Sequence, residues 1–367
     1  MMKKQIRTIG KVLIWIAGLT IVIAAVLMLA GRIVSHDTED DVDRPRREKV
    51  KRTEKVEETG QSSESEVLGE EIVYPAPTYE FKTDEIVVEI EGLEQEYTIA
   101  FVNDMHMITD HESGNVTEDN MAVVRERYET LSVTEEGIPS EELWPEVIKY
   151  LNYNDFDAVI FAGDILDYCS NSNIRVLKAG LKELKYSDDK IMYLRSDHDY
   201  GGWYGGAGFT DSDGFILQTF VLDSDDSEKV IEFDEFMIVG INQSYRNISE
   251  QTHEIIDRNL DKEKPVLIAT HVPFYSDVDD SLEELSMEVR NRIYYWSKDG
   301  VSYVPDEETQ ALIDRMYADD SNVVQILAAH MHSSWDGYVT DRLKEHIFAP
   351  SFQGNIGIIH IKPSDNN

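Results

Sequence analysis

The residues able to do chemistry in this chain collect in five short clusters. They are Asp104-Met105-His106, Gly163-Asp164-Ile165-Leu166-Asp167, Ser196-Asp197-His198-Asp199, Thr270-His271 and His330-Met331-His332. Five of the ten histidines lie in them, a concentration that randomly scattered histidines would not give. Carboxylates and imidazoles in this mixture are a donor set for divalent cations, and several of each converging on one edge would serve two ions.

Each cluster follows an apolar run of strand length: IAFV, AVIFA, IMYL, VLIA and VVQILAA in turn. Loops just past the carboxyl ends of strands are where open α/β sheets place their ligand sites. Further strand-like runs fall near 85–90, 215–222, 229–233, 236–241 and 356–361, and helical patterns near 121–131, 140–151, 174–184, 250–260, 282–293 and 307–317. Strands alternating with helices indicate an α/β protein. The strands bunched between 215 and 241 depart from simple alternation.

The ordered set resembles the calcineurin-like metallophosphoesterase family, whose signature is D-x-H, G-D-x-x-D, G-N-H-D or G-N-H-E, a lone His, and G-H-x-H. Each piece alone is weak, but all five in order, each after a strand, are specific. The match runs from Asp104 to His332, with three departures: Ser196 replaces a glycine, Asp197 the asparagine, and Ala329 the last glycine. The resemblance implies a four-layer α/β/β/α sandwich of two mixed sheets, with a dinuclear metal site at the carboxyl ends of the strands. It implies that Asp104, His106 and His332 bind one ion, that Asp197, His271 and His330 bind the other, and that Asp164 bridges both. The expected activity is hydrolysis of phosphate mono- or diesters, because paired ions supply hydroxide from a shared water for in-line attack on phosphorus. His198 is the expected general acid, since imidazole titrates near neutrality, and Asp167 or Asp199 is expected to hold its ring. An extended backbone at His330-Met331-His332 would turn both imidazoles to one side.

Asp197 brings a third carboxylate to the ligand set and removes an amide donor. It should tighten metal binding, weaken the pull on an anionic substrate, and favour Mn over Fe or Zn. It also keeps open a second function, a non-catalytic binding domain that retains the fold. Two segments are expected to meet substrate. Residues 109–136 carry Arg125 and Arg127, and the Gly-rich stretch 200–209 carries Trp203 and Tyr204, whose rings could stack on a base or sugar. No G-x-x-x-x-G-K-S/T pattern occurs there, so a nucleotide-binding P-loop is not indicated.

Composition frames the rest. Lys3, Lys4, Arg7 and Lys11 precede twenty uncharged, mostly apolar residues at 12–31, about the ~20 needed for a bilayer-spanning helix. That run exceeds the ~7–15-residue core of a secretory signal, so an uncleaved single-pass anchor is predicted. The basic tail at 1–11 predicts a cytoplasmic N-terminus and an extracellular catalytic domain. Residues 32–73 are charged and almost free of aromatics, the composition of a flexible linker, and 74–363 form the catalytic domain. A single cysteine, Cys169, excludes a disulfide-stapled scaffold. The net charge is −38, and the first 75 residues hold 12 basic against 13 acidic groups, so nearly all of it falls on the domain. Such a field repels extended nucleic acid, which binds through Lys and Arg contacts to phosphates. A small or surface-linked phosphate ester remains compatible, drawn by a locally positive metal pair.

Overall fold

The computed structural model describes residues 73–109, 118–200, 229–244, 247–248 and 250–364, all within the unit Glu70–Asn367. The basic tail, the apolar run at 12–31, the linker apart from Val73, the strand expected at 215–222, and Trp203 and Tyr204 lie outside the described residues. Among the described residues no helix is long and apolar enough to cross a membrane.

In chain order the strands are β1 (Lys82–Ile90), β2 (Tyr97–Val102), β3 (Ala158–Ala162), β4 (Ile191–Leu194), β5 (Val230–Glu232), β6 (Met237–Gly240), β7 (Gln243–Ser244), β8 (Asn247–Ile248), β9 (Val266–Ala269), β10 (Val323–Ala328), β11 (Trp335–Tyr338), β12 (Lys344–Ile347) and β13 (Asn355–Pro363). The helices are α1 (Glu118–Thr130), α2 (Ser140–Tyr153), α3 (Asn171–Glu183), α4 (Asp197–Tyr200), α5 (Glu250–Leu260), α6 (Ser281–Arg290) and α7 (Glu307–Tyr317). One sheet has the order β1-β13-β2-β3-β4 and the other β11-β12-β10-β9-β6-β5, while β7 and β8 form a small separate pair. Both large sheets are mixed. β2, β3 and β4 run parallel, as do β12, β10, β9 and β6, with antiparallel partners at β13–β2, β11–β12 and β5–β6.

Layering follows from the two faces of each strand. Ile99 and Phe101 of β2 point into a core shared with Ile238, Leu267 and Leu327 of the opposite sheet. Ala100 and Val102 point the other way, onto Trp144, Val147, Leu177 and Leu181 of α2 and α3. Val239, Ile268 and Ile326 similarly face outward from the second sheet and meet Ile255, Ile256, Leu312 and Ile313 of α5 and α7. The expected α/β/β/α sandwich is therefore present. Strands buried on both faces read as continuous apolar runs, as parallel sheets require: all five residues of β3 are buried.

Two features differ from the sequence expectation. β11 and β12 were not anticipated, because Trp-Asp-Gly-Tyr and Lys-Glu-His-Ile carry no apolar pattern, yet Glu345, His346 and Ile347 are buried. The helix expected to run to 293 stops at Arg290, where Asn291 takes the left-handed conformation (φ 54°) and its N–H returns to the Met287 carbonyl at 3.0 Å, a standard helix stop.

Candidate metal centre

Strand order brings the five clusters together. Asp104 and His106 follow β2, Asp164 and Asp167 follow β3, and Asp197 to Asp199 open α4 after β4, three adjacent strands of one sheet. His271 follows β9 and the His330–His332 turn follows β10, adjacent strands of the other sheet. The backbone there is unusual. Six non-glycine residues among those described have positive φ, and five are Asp104 (45°), His106 (44°), Asp164 (49°), His330 (73°) and His332 (56°). The left-handed region costs an L-residue roughly 1–2 kcal/mol, and such strain concentrates at functional sites. Ladder-like bonds oppose it: Asp104 N–H to Gly163 O at 3.1 Å, His106 N–H to Asp164 O at 2.9 Å and Ala329 N–H to His271 O at 2.9 Å. The extended backbone expected for His330-Met331-His332 is therefore corrected to a left-handed turn at each histidine. Gly163 is needed for space as well as for its φ of +85°, since a Cβ there would lie 2.8 Å from the His271 ring.

The side chains converge in two groups. Asp104, His106 and His332 form one, and Asp164, His271 and His330 the other. His106 Nε2 faces His332 Nε2 at 3.0 Å, and His271 Nε2 faces His330 Nδ1 at 3.1 Å. Carboxylate oxygens close the same space: Asp104 Oδ1 lies 3.3 Å from His332 Nε2 and 3.8 Å from His271 Nε2, and Asp164 Oδ2 lies 3.2 Å from His271 Nε2 and 3.8 Å from His106 Nε2. The far side of two rings is anchored. His106 Nδ1 donates to Asp167 Oδ1 at 2.7 Å and His271 Nδ1 to the Ala162 carbonyl at 2.8 Å. In the neutral tautomer those bonds turn the Nε2 lone pairs inward, the usual orientation of a metal-binding histidine. Asp104 Oδ1, Asp164 Oδ1 and His330 Nε2 are buried with no hydrogen-bond partner. Buried acceptors are ordinarily satisfied, so unpaired oxygens and facing imidazole nitrogens fit a pair of cations.

Electrostatics agree. Burial disfavours charge on the rings, but Asp104 and Asp167 outweigh it at His106, and Asp164 and Asp104 at His271, pushing them up to about 9 and about 10. Burial and the neighbouring charged imidazole hold their partners down, His332 at about 4 and His330 well below its ordinary value. Asp104 and Asp164 stay well below the usual carboxylate range despite burial, chiefly through His271, assisted by His332 and His198 respectively.

The remaining expected residues are distributed as follows. Asp197 joins the cluster with Asp164 and His198, and His198 also groups with His106 and Asp167. His198 Nδ1 donates to the Asp167 carbonyl at 2.7 Å, with the carboxylate Oδ1 at 3.6 Å. The Asp167 carboxylate instead holds His106 and receives Arg127 Nε at 2.9 Å. Asp199 accepts from the backbone N–H groups of Asp164 (2.7 Å), Leu166 (2.9 Å) and Ser196 (3.0 Å), which clamps the loop after β3 to the loop after β4. Burial and then the Asp164 charge push its carboxyl up to about 6. Arg125 is exposed on α1, whereas Arg127, named with it as a substrate contact, has its guanidinium engaged by Asp167. Two residues were missed. Tyr294 stacks on the His330 ring (centroids 4.3 Å, 26°), and Arg290 Nη2 donates to the His330 carbonyl at 3.0 Å. Arg290 fell inside an apparently ordinary helical stretch and Tyr294 just past its expected end, and nothing in the spacing marks either.

A zebrafish (Danio rerio) dimetal phosphatase is 12% identical, over 70% of this chain and 88% of that one, with a TM-score of 0.39. A purple acid phosphatase from yellow lupin (Lupinus luteus) seeds is 14% identical over 74% and 45%, TM-score 0.37. Phosphopantetheinyl hydrolase from Mycobacterium tuberculosis is 12% identical over 70% and 90%, TM-score 0.34. No curated protein sequence matches the chain. The calcineurin-like phosphoesterase family matches residues 97–334, which hold all five clusters. The chain therefore belongs to the calcineurin-like phosphoesterase family and is a phosphoester hydrolase.

Proposed function

We propose that this protein is a dinuclear metal-dependent phosphoesterase acting on a small or surface-linked phosphate mono- or diester. The observation that carries the reading is the pair of facing imidazoles set among buried carboxylate oxygens that have no partner. Asp104, His106 and His332 would hold one divalent ion and Asp197, His271 and His330 the other, with Asp164 as the carboxylate shared between the two groups. Two such ions supply Lewis acidity and an activated water. Mn is favoured over Fe or Zn by the three carboxylates. The chain's own groups do the rest. As water oxygen bonds to phosphorus and the ester P–O bond breaks, His198 Nε2 delivers a proton to the leaving oxygen. Its Nδ1, donating to the Asp167 carbonyl, fixes the ring for that transfer. Asp167 orients His106, and Asp199 holds the two loops in register.

The acidic domain disfavours extended nucleic acid as substrate. The apolar run at 12–31 supports a single-pass anchor, with the N-terminus cytoplasmic and the catalytic domain outside the cell. A second reading, a non-catalytic binding domain, draws on Asp197 in place of an amide donor. His198 and the complete ligand set favour the enzyme. Metal analysis of the purified protein, coupled to a panel of mono- and diesters, tests the reading. Two bound ions with turnover are expected, and two ions without turnover on any ester would select the binding domain. Protease added to intact cells should release the domain by cutting within 32–73, and protection until lysis would reverse the topology.

A further inference from the structure

Asn103 stands one residue before the first candidate ligand and touches both sheets at the metal edge. It follows β2 and is fully buried. Its backbone N–H donates to Ser351 Oγ at 3.1 Å, and its carbonyl accepts the Ser351 N–H at 2.8 Å. Its side-chain Nδ2 donates to Asp104 Oδ2 at 2.9 Å and to the carbonyl of Phe348, just past β12 of the other sheet, at 3.3 Å. Both neighbours are acceptors, so a reversed amide would set its carbonyl oxygen against a carboxylate. The same Asp104 Oδ2 accepts the His330 backbone N–H at 3.0 Å. One carboxylate oxygen thus takes a donor from the loop after β2 and another from the turn after β10.

We propose that Asn103 is a positioning residue, which fixes the Asp104 carboxylate so that Oδ1 alone is presented to a cation. The proposal rests on the metal-centre reading above. An ionised carboxylate offers about four lone-pair sites, two on each oxygen. The Asn103 amide and the His330 N–H occupy those of Oδ2. Oδ1 is buried with no hydrogen-bond partner and faces His332 Nε2 at 3.3 Å, His106 Nε2 at 3.7 Å and His271 Nε2 at 3.8 Å. Without the amide, a single N–H would remain as a pivot, and the carboxylate could turn about its Cβ–Cγ bond. Groups that hydrogen-bond a ligating side chain set its direction and with it the metal affinity. Asp167 plays this part for His106, and Asn103 plays it for Asp104.

The test uses the full-length protein and titrates Mn²⁺ against a chelator, resolving the two ions. N103A should weaken one of them, the ion assigned to Asp104, by about 10–100-fold and leave the other close to wild type. In the Co²⁺-loaded protein the visible absorption of the same site should shift, because its carboxylate ligand turns. N103D keeps the shape but sets an acceptor against Asp104, so its loss should exceed that of N103A. In a D104N background the N103A loss should shrink, because an amide NH2 in place of Oδ2 no longer accepts from Asn103. Such non-additivity is expected of groups in contact. Unchanged affinity in N103A, equal weakening of both ions, or strictly additive losses in the double variant would overturn the proposal. Should N103A fail to fold, by thermal unfolding of the metal-free protein, N103S reads the same quantities with a smaller cavity, and the same outcomes decide. A wild type that binds no divalent ion would overturn this proposal and the metal-centre reading together. A wild type that binds two ions, one of them weakened by N103A, yet hydrolyses no ester would refute the hydrolase reading alone.

Discussion

Replacing Asp167 by asparagine isolates the layer of groups behind the candidate ligands. The carboxylate is fully buried; one oxygen receives His106 Nδ1 at 2.7 Å together with Arg127 Nη2, and the other receives Arg127 Nε at 2.9 Å. Asparagine keeps the shape and one oxygen. If that oxygen stays on His106, the amide NH2 faces the Arg127 guanidinium, donor against donor. If it turns to Arg127, the same clash falls on His106. Either arrangement loses at least one hydrogen bond to a charged group, roughly 1.5–3 kcal/mol for each. Arg127 is only partly buried, with 20% of its side chain exposed, so water relieves its share and the lower half of that range is expected for stability. For the metal, loss of the group that orients a ligating histidine costs about 10–100-fold in affinity. Chelator competition with Mn²⁺ reads this directly, with thermal unfolding of the metal-free protein as a second measurement. One ion, the one assigned to Asp104, His106 and His332, should weaken while the other is retained. Unchanged affinity for both ions would refute the idea that Asp167 acts through His106.

Two further outcomes follow from the same geometry. H198A should retain both ions and slow alkyl phosphate hydrolysis by about 10²–10⁴-fold, while an activated aryl phosphate, which leaves as a stable anion, loses far less; equal losses on both substrates would remove His198 from the acid role. Glu345 offers a stability test remote from catalysis. It is buried on β12, accepts from Phe274 N–H at 3.1 Å, and is pushed by burial up to about 8. A folded pKa above the unfolded one stabilises fully below about 4.5 and loses that contribution as pH rises through about 8, a swing on the order of 3–5 kcal/mol. E345Q keeps the acceptor without the charge, so it should melt higher than wild type at pH 9 and close to it at pH 5; parallel melting curves across that range would contradict the assignment.

The chemistry was legible in the sequence because each cluster follows a run that can only be a buried strand, and strand ends at one sheet edge must lie close together. The order of strands then decides which clusters meet, and two mixed sheets supply it. What was hidden depends on tertiary burial. β12 reads as polar surface, since Lys344, Glu345 and His346 show no apolar period, yet two of the three are buried. The left-handed turns at Asp104, His106, Asp164, His330 and His332 were not readable from residue type, because only a few per cent of non-glycine residues take positive φ even with Asp and His enriched there, and at 330–332 an extended backbone had been expected. Arg127 reads in the sequence as a substrate contact, and only the fold reveals its partner in Asp167. Arg290 and Tyr294 gain their meaning from a single helix stop at Asn291.

The central claim, that two groups of ligands joined by Asp164 hold a pair of ions required for hydrolysis, is tested most directly by D164N. Its side chain lies among His106, His271 and His198, so the variant withdraws the one charge that both groups share. Metal content by mass spectrometry and turnover should be read on the same preparation. The account predicts two ions per chain in the wild type, fewer than two in the variant, and no measurable hydrolysis by it. Wild-type turnover with two ions still bound in D164N would contradict the dinuclear assignment.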